Sequence, residues 1–532
     1  MSSDGPWWRG AVGYQVYPRS FADSNGDGIG DLEGIRARLT YLSWLGVDAV
    51  WISPFYPSPG HDHGYDVSDY TAVSPRHGSL DDFDRLVKEA KRLDLRVLVD
   101  IVPNHTSSDH PWFREAMRGT DDPKRDYYLW RDPAPDGGPP NNWVSHFGGP
   151  AWTLDPASGQ YYCHLFLPEQ PDLNWSNEEV RGEFDAILRF WCDRGVDGFR
   201  IDVAHGIAKD PDFRDNPLVR EITDPVDPRV VFHAYDHIHD LDQDANIEVF
   251  RRWRDVVRPY GAMLIGEIGA ERPDRVARYV KDRDGLHTVF YLQPVWMRWE
   301  PARLLSKVRA MHDLAPTGVS WVINNHDDSR SVTRFGGDPE ARERSLAVTA
   351  FLAGLGGVPF LFQGEELGLS DGKIDPSDLA DPISTRNAGA TGRDGSRTAM
   401  PWDDGHENGF TTAPHAWLPA APRGMEETVA GQRDVPGSFL NRYRDLLAIR
   451  SAHPELWLRP LVWLDTPTPV VAAYVRGSMA IVTNLGDAPA AIPLPLQGWE
   501  VVFTTRPAPV GVGATEVRVP AAMTIILRWT GP

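Results

Sequence analysis

Three acidic residues follow predicted strands, each within its own short sequence signature. Asp202 closes the segment GFRID, Glu267 follows the apolar run AMLIG, and Asp327 stands within NHDD. The three are too far apart in the chain to form one local motif, but a barrel brings the carboxyl ends of its strands together. A cleft with several carboxylates suits cleavage of a glycosidic bond, because one group protonates the leaving oxygen and another attacks the sugar carbon. The sequence therefore predicts carbohydrate chemistry.

The neighbours of two of these acids favour different roles. Arg200 lies two positions before Asp202, so both side chains share one face of the strand, and a nearby arginine favours the ionised carboxylate. An ionised carboxylate is suited to act as a nucleophile, although the same pair could simply cap a strand. Glu267 stands among apolar residues, which favour the protonated form of an acid. It could donate that proton, or it could cap the following helix.

Asp327 and His105 also follow predicted strands. The sequence around Asp327 favours a turn or a helix N-cap as well as a site, and His105 could donate to a sugar hydroxyl or be a structural histidine. What favours a site is the conjunction, because four strand ends each present polar groups where a barrel places its active site.

The order of the predicted elements explains how these residues would meet. Strands and helices alternate along most of the chain and provide eight strand candidates, which predicts an α/β protein with a (β/α)8 TIM barrel. The stretch after the third strand is rich in Pro, Gly, Asp and Trp and too long for a loop, so it predicts an inserted domain. Alternating apolar residues near the end predict a C-terminal antiparallel β-sandwich. The predicted domains are the barrel over 1–103 and 175–455, the insertion over 104–174, and the sandwich over 456–532.

Composition excludes several classes of protein. The chain has 532 residues, of which 41% are hydrophobic, enough for a large core. Its net charge of −21 opposes binding to nucleic acid. No apolar run reaches the ~18 residues that span a bilayer, the N-terminus lacks a signal-peptide pattern, and two cysteines imply no disulfide framework. We expect a cytoplasmic protein with neither nucleic-acid nor membrane partners.

Four segments closely resemble the signature regions of the α-amylase family of glycoside hydrolases. They are Asp100–His105, Gly198–Asp202, Leu264–Glu267 and Asn325–Asp327. Further segments resemble the oligo-1,6-glucosidase and α-glucosidase subgroup of that family, namely Gln170–Trp175, Tyr17–Asp31 and Ser396–Trp402. The resemblance covers nearly the whole chain, including the inserted and C-terminal domains.

The resemblance implies a role for each site residue. Asp202 would be the nucleophile that forms a covalent β-glucosyl enzyme, Glu267 would be acid and then base, and Asp327 would bind sugar hydroxyls. Two inversions would then return the α-anomer. The implied substrate-binding residues are His105, Arg200 and His326 around the terminal glucose, Tyr65 stacked under its ring, Asp62 paired with Arg397 to close the pocket, and Phe147 and Phe166 as pocket wall or, equally, core. A closed pocket implies release of single glucose units.

The segment after the first strand carries the start of a calcium-loop pattern. Oxygen-bearing groups alternate along it, namely Asp23, Asn25, Asp27, the carbonyl of Ile29, and Asp31. Gly34 stands where an EF-hand has its bidentate glutamate, so the loop is not a full EF-hand. The resemblance implies structural Ca²⁺, or Mg²⁺, and no organic cofactor. The alternative is a turn held by Asx hydrogen bonds alone.

The sequence favours an exo-acting, retaining α-glucosidase on short, maltose-type α-1,4 substrates. Val203 matches α-1,6-specific relatives, but the continuation to Gly206 is closer to α-glucosidases that prefer maltose, so an oligo-1,6-glucosidase stays open. A trehalose or isomaltulose synthase would share the three acids, although the segment after Asp327 lacks the RLDRD pattern of isomaltulose synthases. A non-catalytic transporter subunit would carry a membrane helix. The predicted partner is a small oligosaccharide, and the predicted state is a monomer or small homo-oligomer.

Overall fold

Eight parallel strands form the centre of the molecule. The computed structural model describes residues 5–281, 285–387, 389–421 and 423–531. The central strands are β1 (Gly13–Val16), β2 (Ala49–Ile52), β3 (Arg96–Ile101), β4 (Gly198–Ile201), β5 (Met263–Ile268), β6 (Thr288–Tyr291), β7 (Val319–Trp321) and β8 (Phe360–Phe362). They pair in the order β7-β6-β5-β4-β3-β2-β1-β8, and a hydrogen bond from the Val358 N–H to the Val319 carbonyl joins the two ends. The predicted (β/α)8 barrel is confirmed.

Helices cover the outside of this sheet. The longer ones are Leu32–Leu45, Leu80–Arg92, Glu178–Asp193, Ala245–Val257, Pro301–Leu314, Pro339–Ala353 and Phe439–Ala452. Shorter α-helices are Pro111–Ala116, Pro228–Phe232, Pro273–Ala277, Gln293–Trp296, Ser331–Arg334, Pro382–Arg386, Val429–Arg433 and Glu455–Leu458. Among the described residues no helix combines the length and the apolar character needed to cross a bilayer.

Local sequence sets the ends of the first two helices. The Asp31 carboxylate accepts the Gly34 N–H at the start of the first helix, and Gly46 ends it with φ of 95°, a left-handed conformation that glycine adopts readily. Ser79 and Asp82 form a capping box at the start of the second. The strands β2 and β3, which follow these helices, are buried on both faces, and this explains their nearly unbroken apolar sequences.

The two additional units lie where the sequence predicts them. After β3, the strands Trp130–Arg131, Trp152–Asp155 and Gln160–Cys163 form a small antiparallel sheet. After the last long helix, Val462–Trp463, Val471–Arg476, Met479–Asn484, Trp499–Thr504 and Met523–Trp529 form one antiparallel sheet, and Ala490–Pro493, Gly511–Val512 and Glu516–Val519 form another.

The two C-terminal sheets share a core of alternate residues. Val482, Ile525 and Val517 belong to that core, whereas Ile481 and Ile526 pack with the residues of the barrel. The antiparallel sandwich is therefore confirmed, and its larger sheet is buried on both sides. The exact domain limits stay a prediction.

Candidate active site

The three acids meet in one cavity at the carboxyl ends of the barrel strands. Asp202 directly follows β4, Glu267 lies at the end of β5, and Asp327 follows β7. All three line a cavity of about 270 Å³. The other predicted residues that line it are Asp62, Tyr65, His105, Phe147 and Phe166. Val203, which the sequence singled out for linkage preference, also lines it, and further lining residues that the sequence did not single out include His146, His205, Arg229, Phe232, His233, Leu292, Trp296, Asp328, Ile383 and Arg393.

Three predicted residues lie directly behind this lining. Arg200, His326 and Arg397 are at most 2% exposed. Arg200 and His326 line a small adjoining space inside the barrel. The structure therefore brings all of the predicted substrate-binding and catalytic residues together, but it places these three under the cavity surface, where they contact the acids.

One guanidinium group contacts three carboxylates. Arg200 forms ion pairs with Asp202, with Asp100 at 3.0 Å, and with Glu267 at 2.8 Å. The Val203 N–H also donates to Glu267 at 3.1 Å. Asp202 and Glu267 therefore share one guanidinium, which holds both carboxyl groups at the same part of the cavity.

Ionising Asp202, Asp100 and Glu267 together would cost free energy, because the three carboxyl groups share one buried guanidinium. Burial raises the pKa of Asp202 despite Arg200, and Glu267 and Asp100 raise it further. Burial likewise raises the pKa of Asp100 to about 7. The expectation that Arg200 alone holds Asp202 ionised was therefore too simple, because the arginine is shared. Carboxyl groups this close titrate as a coupled set, and burial favours the protonated forms of Asp202 and Asp100 within it.

The residue after Asp202 has a strained backbone. Val203 has φ of 42°, which a β-branched residue rarely adopts. Two hydrogen bonds to Glu267 hold this turn, from the Val203 N–H to the carboxylate and from the Ala204 N–H to the carbonyl at 3.0 Å. Strain of this kind persists only where the surroundings enforce it, and it is concentrated at functional sites.

Two arginines stabilise the negative charge of Asp327. Arg397 contacts it at 2.9 Å and Arg393 at 3.2 Å. Burial alone would raise the pKa of Asp327, but His326, Arg397 and Arg393 together lower it well below its usual range. Asp327 is therefore an anion at the cavity surface, with 31% of its side chain exposed.

The predicted pairing of Asp62 with Arg397 was wrong. The ion pair of Asp62 is with Arg393, at 2.6 Å. The Arg397 guanidinium is fully buried and bonds the His326 carbonyl at 2.7 Å as well as Asp327, so it is held beneath the site. Arg393 instead lines the cavity and connects Asp62, Asp327 and Asp381. The structure therefore pairs Asp62 with an arginine of the cavity lining, but with a different one from the arginine predicted.

Aromatic and imidazole rings complete this end of the cavity. Tyr65 stacks on His326 with ring centroids 5.3 Å apart, and its hydroxyl donates to Asp100 at 3.1 Å. His105 lies 5.0 Å from the ring of Phe166, and burial lowers the pKa of His105 to about 4, so it is neutral. Phe147 and Phe166 line the cavity and also pack in apolar clusters. Both residues therefore form part of the cavity wall and part of the apolar core.

A buried ion pair fixes the loop after the nucleophile candidate. Lys209 contacts Asp172 at 3.0 Å and Asn104 at 2.9 Å, with its side chain only 2% exposed. Asn104 also donates to Asp172 at 2.9 Å. The inserted domain, the end of β3 and the loop after β4 are thus joined beside the cavity.

The loop of the predicted metal site is closed by Asx hydrogen bonds. Asp23 accepts from the N–H groups of Asn25 and Gly26, and Asp27 accepts from Ile29. Asp31 accepts from Ser24 and caps a helix. The described residues contain no group of three or more His, Cys, Asp or Glu side chains placed to hold a metal. The all-oxygen donor set nevertheless suits a hard cation such as Ca²⁺.

Comparison with known proteins agrees with this geometry. A model of the alpha-amylase catalytic domain matches residues 15–458, and one of a domain of unknown function, DUF3459, matches residues 464–527. A probable alpha-glucosidase of Rhizobium meliloti is 41% identical over 94% of this chain and 93% of its own length. An oligo-1,6-glucosidase of Heyndrickxia coagulans is 36% identical over 93% of this chain and 95% of its own length. The crystal structure of the alpha-glucosyl transfer enzyme XgtA superposes with a TM-score of 0.93 at 40% identity. The match covers 98% of this chain and 99% of XgtA.

The chain belongs to the α-amylase family of glycoside hydrolases. It is an enzyme, and its relatives narrow the class to glucosidases and transglycosylases of that family. The resemblance seen in the signature segments is confirmed.

Proposed function

We propose that the protein is an exo-acting, retaining α-glucosidase that releases α-glucose from the non-reducing end of short α-glucosides, with maltose-type α-1,4 linkages preferred. Two observations carry this proposal: the shared contact of Asp202 and Glu267 with Arg200, and the ion pair between Asp62 and Arg393 in the cavity lining, which we infer closes the far end of the cavity. A closed end leaves room for a terminal sugar and not for a continuing chain.

The chemistry proceeds by two displacements. A carboxylate oxygen of Asp202 attacks the anomeric carbon while the bond to the leaving oxygen breaks, and Glu267 gives its proton to that oxygen. Water then gives a proton to Glu267 and its oxygen to the anomeric carbon, which frees Asp202. Asp327, held anionic by two arginines, accepts hydrogen bonds from sugar hydroxyls.

A substrate panel tests the proposal. Maltose, isomaltose, sucrose, trehalose, maltotriose and starch are incubated with the enzyme, and products are followed by proton NMR. We expect maltose to react fastest, with α-glucose as the first product. Rapid thinning of starch would contradict the closed pocket, β-glucose as the first product would contradict retention, and a preference for isomaltose would replace the α-1,4 assignment with an α-1,6 one.

Transfer of glucose to an acceptor other than water is a second candidate activity. One relative is named as an α-glucosyl transfer enzyme, and the cavity lining includes the apolar side chains of Val203, Phe232, Leu292 and Trp296. Such a surface favours a sugar ring or another organic acceptor over loosely held water. The ratio of free glucose to new glucosides at high maltose concentration measures this activity.

Arg393→Gln is expected to lower kcat/KM for maltose by roughly 10²-fold or more, about 2.7 kcal/mol of transition-state stabilisation, because Arg393 lines the cavity and holds Asp62 and Asp327 in place. The substitution leaves Asp62 without its guanidinium and leaves Asp381 with only the more distant Arg397, at 3.8 Å. Arg386→Gln is the matched control, because Arg386 forms an exposed pair with Glu169 in the same region. If the two variants had equal kcat/KM for maltose, Arg393 would have no role in binding glucose at this end of the cavity.

We also propose a structural Ca²⁺, or Mg²⁺, in the loop of Asp23, Asn25, Asp27, Ile29 and Asp31. Chelation with EDTA is then expected to lower the melting temperature by about 5 °C or more while activity at low temperature persists. Asp27→Asn keeps an oxygen for the Ile29 N–H but removes a charged ligand. It should therefore lose the EDTA response. If EDTA left the melting temperature of the parent enzyme unchanged, the loop would be stabilised by its Asx hydrogen bonds without a metal.

A further inference from the structure

A row of rings in contact runs from His237, on the loop after β4, to His105 at the glucose end of the cavity. His237 stacks on Phe232 with centroids 3.7 Å apart, and Phe232 stacks on His146, also at 3.7 Å. His146 then stacks on Phe166 at 4.7 Å, and Phe166 lies 5.0 Å from His105. The row joins the loop after β4, the inserted domain and the end of β3. Four of its five rings line the cavity, and only His237 stands outside it.

The hydrogen bonds of His237 identify its charge state. Its Nδ1 lies 2.8 Å from an Asp240 carboxylate oxygen, and its Nε2 lies 2.9 Å from the Phe232 carbonyl. Both partners are acceptors, so both ring nitrogens must donate, which only the imidazolium can do. Asp240 is fully buried and forms its ion pair with this ring. His237 is therefore a cation stacked on the face of Phe232.

This cation is one of several anchors of a mostly exposed segment, which the inserted domain also holds through Asn142 and Trp143. Residues 211–231 are mostly exposed, including the apolar Leu218, Val219 and Val226. Phe232 is the last residue of the short helix Pro228–Phe232 and is only 6% exposed. Both of its faces are covered, by His237 and His146, so it meets the cavity with its edge. The rings of His146 and Phe166 separate it from His105 at the glucose end, and we infer that its side of the cavity receives the leaving sugar or an acceptor.

We propose that His237 is a positioning residue for the acceptor side of the site: its imidazolium fixes Phe232 against the cavity, and loss of its proton releases Phe232 and weakens binding of the leaving sugar. The inference rests on the proposed glucosidase activity. It adds a dependence of substrate binding on pH that originates outside the catalytic carboxylates.

The charges around His237 set the direction of that dependence. Burial lowers the pKa of His237, but Asp240, the Phe232 carbonyl and Asp236 outweigh burial and raise it above its usual value. The other titratable groups facing it are His146 and His233, and Asp236 is itself 3.4 Å from Arg275. A raised pKa means that the imidazolium anchor is present below about pH 6.5 and is lost as the pH rises through the folded-state value.

The test compares two glucosyl donors between pH 5.5 and 9.5. Maltose places a leaving sugar on the acceptor side, whereas α-glucosyl fluoride places only fluoride there. For the parent enzyme we expect KM for maltose to rise roughly five- to tenfold at the alkaline end, with KM for the fluoride changing less than about twofold. His237→Gln should show the high KM for maltose at every pH. His237→Arg, which keeps a cation, should restore a lower KM that no longer depends on pH.

His239→Gln is the matched control, because His239 lies on the same segment and contacts Asp210 outside the row of rings. It should behave as the parent enzyme. An identical alkaline rise of KM for both donors, or one that persists in His237→Gln, would overturn the proposal. Failure of the variants to fold leaves the comparison of donors in the parent enzyme as the deciding result. Absence of activity on both donors would instead refute the glucosidase function itself.

Discussion

Asp202→Asn is expected to lower kcat for maltose by about 10⁴-fold or more, with the fold unchanged. The amide has the same shape as the carboxylate but cannot form the glucosyl ester. The fold should tolerate the change because Asp202 is one of three carboxylates that share Arg200, and burial already disfavours its charge. Steady-state kinetics and thermal melting followed by circular dichroism measure the two effects.

Asp197→Asn is the matched control for this variant. Asp197 lies just before β4, at the opposite end of the same strand, and pairs with Arg96 at 3.0 Å. It should keep near-normal turnover. A kcat for Asp202→Asn within tenfold of the parent value would show that another group attacks the sugar.

Glu267→Gln is expected to separate the two displacements. Turnover of maltose should fall by about 10³- to 10⁴-fold, because the leaving sugar needs a proton. Fluoride leaves without one, so α-glucosyl fluoride should still form the glucosyl enzyme, which then accumulates because no base activates water. Added azide needs no base and should restore turnover with α-glucosyl azide as product. A burst of fluoride release measured with an ion-selective electrode reports the first step.

Glu271→Gln serves as the control, because Glu271 follows the same strand and pairs with Arg220 at the surface. Its rates should match those of the parent enzyme on both donors. Equal losses of the Glu267→Gln variant on maltose and on the fluoride, without rescue by azide, would assign Glu267 a role in binding and not in proton transfer.

The barrel and its acids could be predicted from the sequence because both follow local rules. The helices Leu32–Leu45 and Glu178–Asp193 bury apolar residues at helical spacing, and such spacing is visible in the sequence. Buried parallel strands produce apolar runs, and the acids directly follow those runs. By contrast, Ala245–Val257 and Pro301–Leu314 were not predicted.

Arg393 was missed because it lies in a segment without periodicity, after β8. It is four residues before Arg397, and the 3-10 turn Asp394–Arg397 brings both guanidinium groups to Asp327. Which of the two reaches Asp62 depends on tertiary packing and not on spacing. The spacing was a signal that two arginines, and not one, serve this end of the cavity.

His237 illustrates a different limit. Its sequence neighbours give no sign that Phe232 and Asp240 use both of its nitrogens, because those contacts require the loop after β4 to fold back on itself. Residues at strand ends can be predicted from a pattern, whereas residues on long irregular loops are identified only by their contacts.

The central claim, that Asp202 bonds to the sugar beside Glu267, is tested most directly by trapping the intermediate. The enzyme is incubated with 5-fluoro-α-glucosyl fluoride, which forms the ester faster than water cleaves it, then digested and examined by mass spectrometry. We expect one added fluoroglucosyl group, on the peptide that contains Asp202. A label on any other residue, or turnover that inverts the anomer with no labelled peptide, would contradict it.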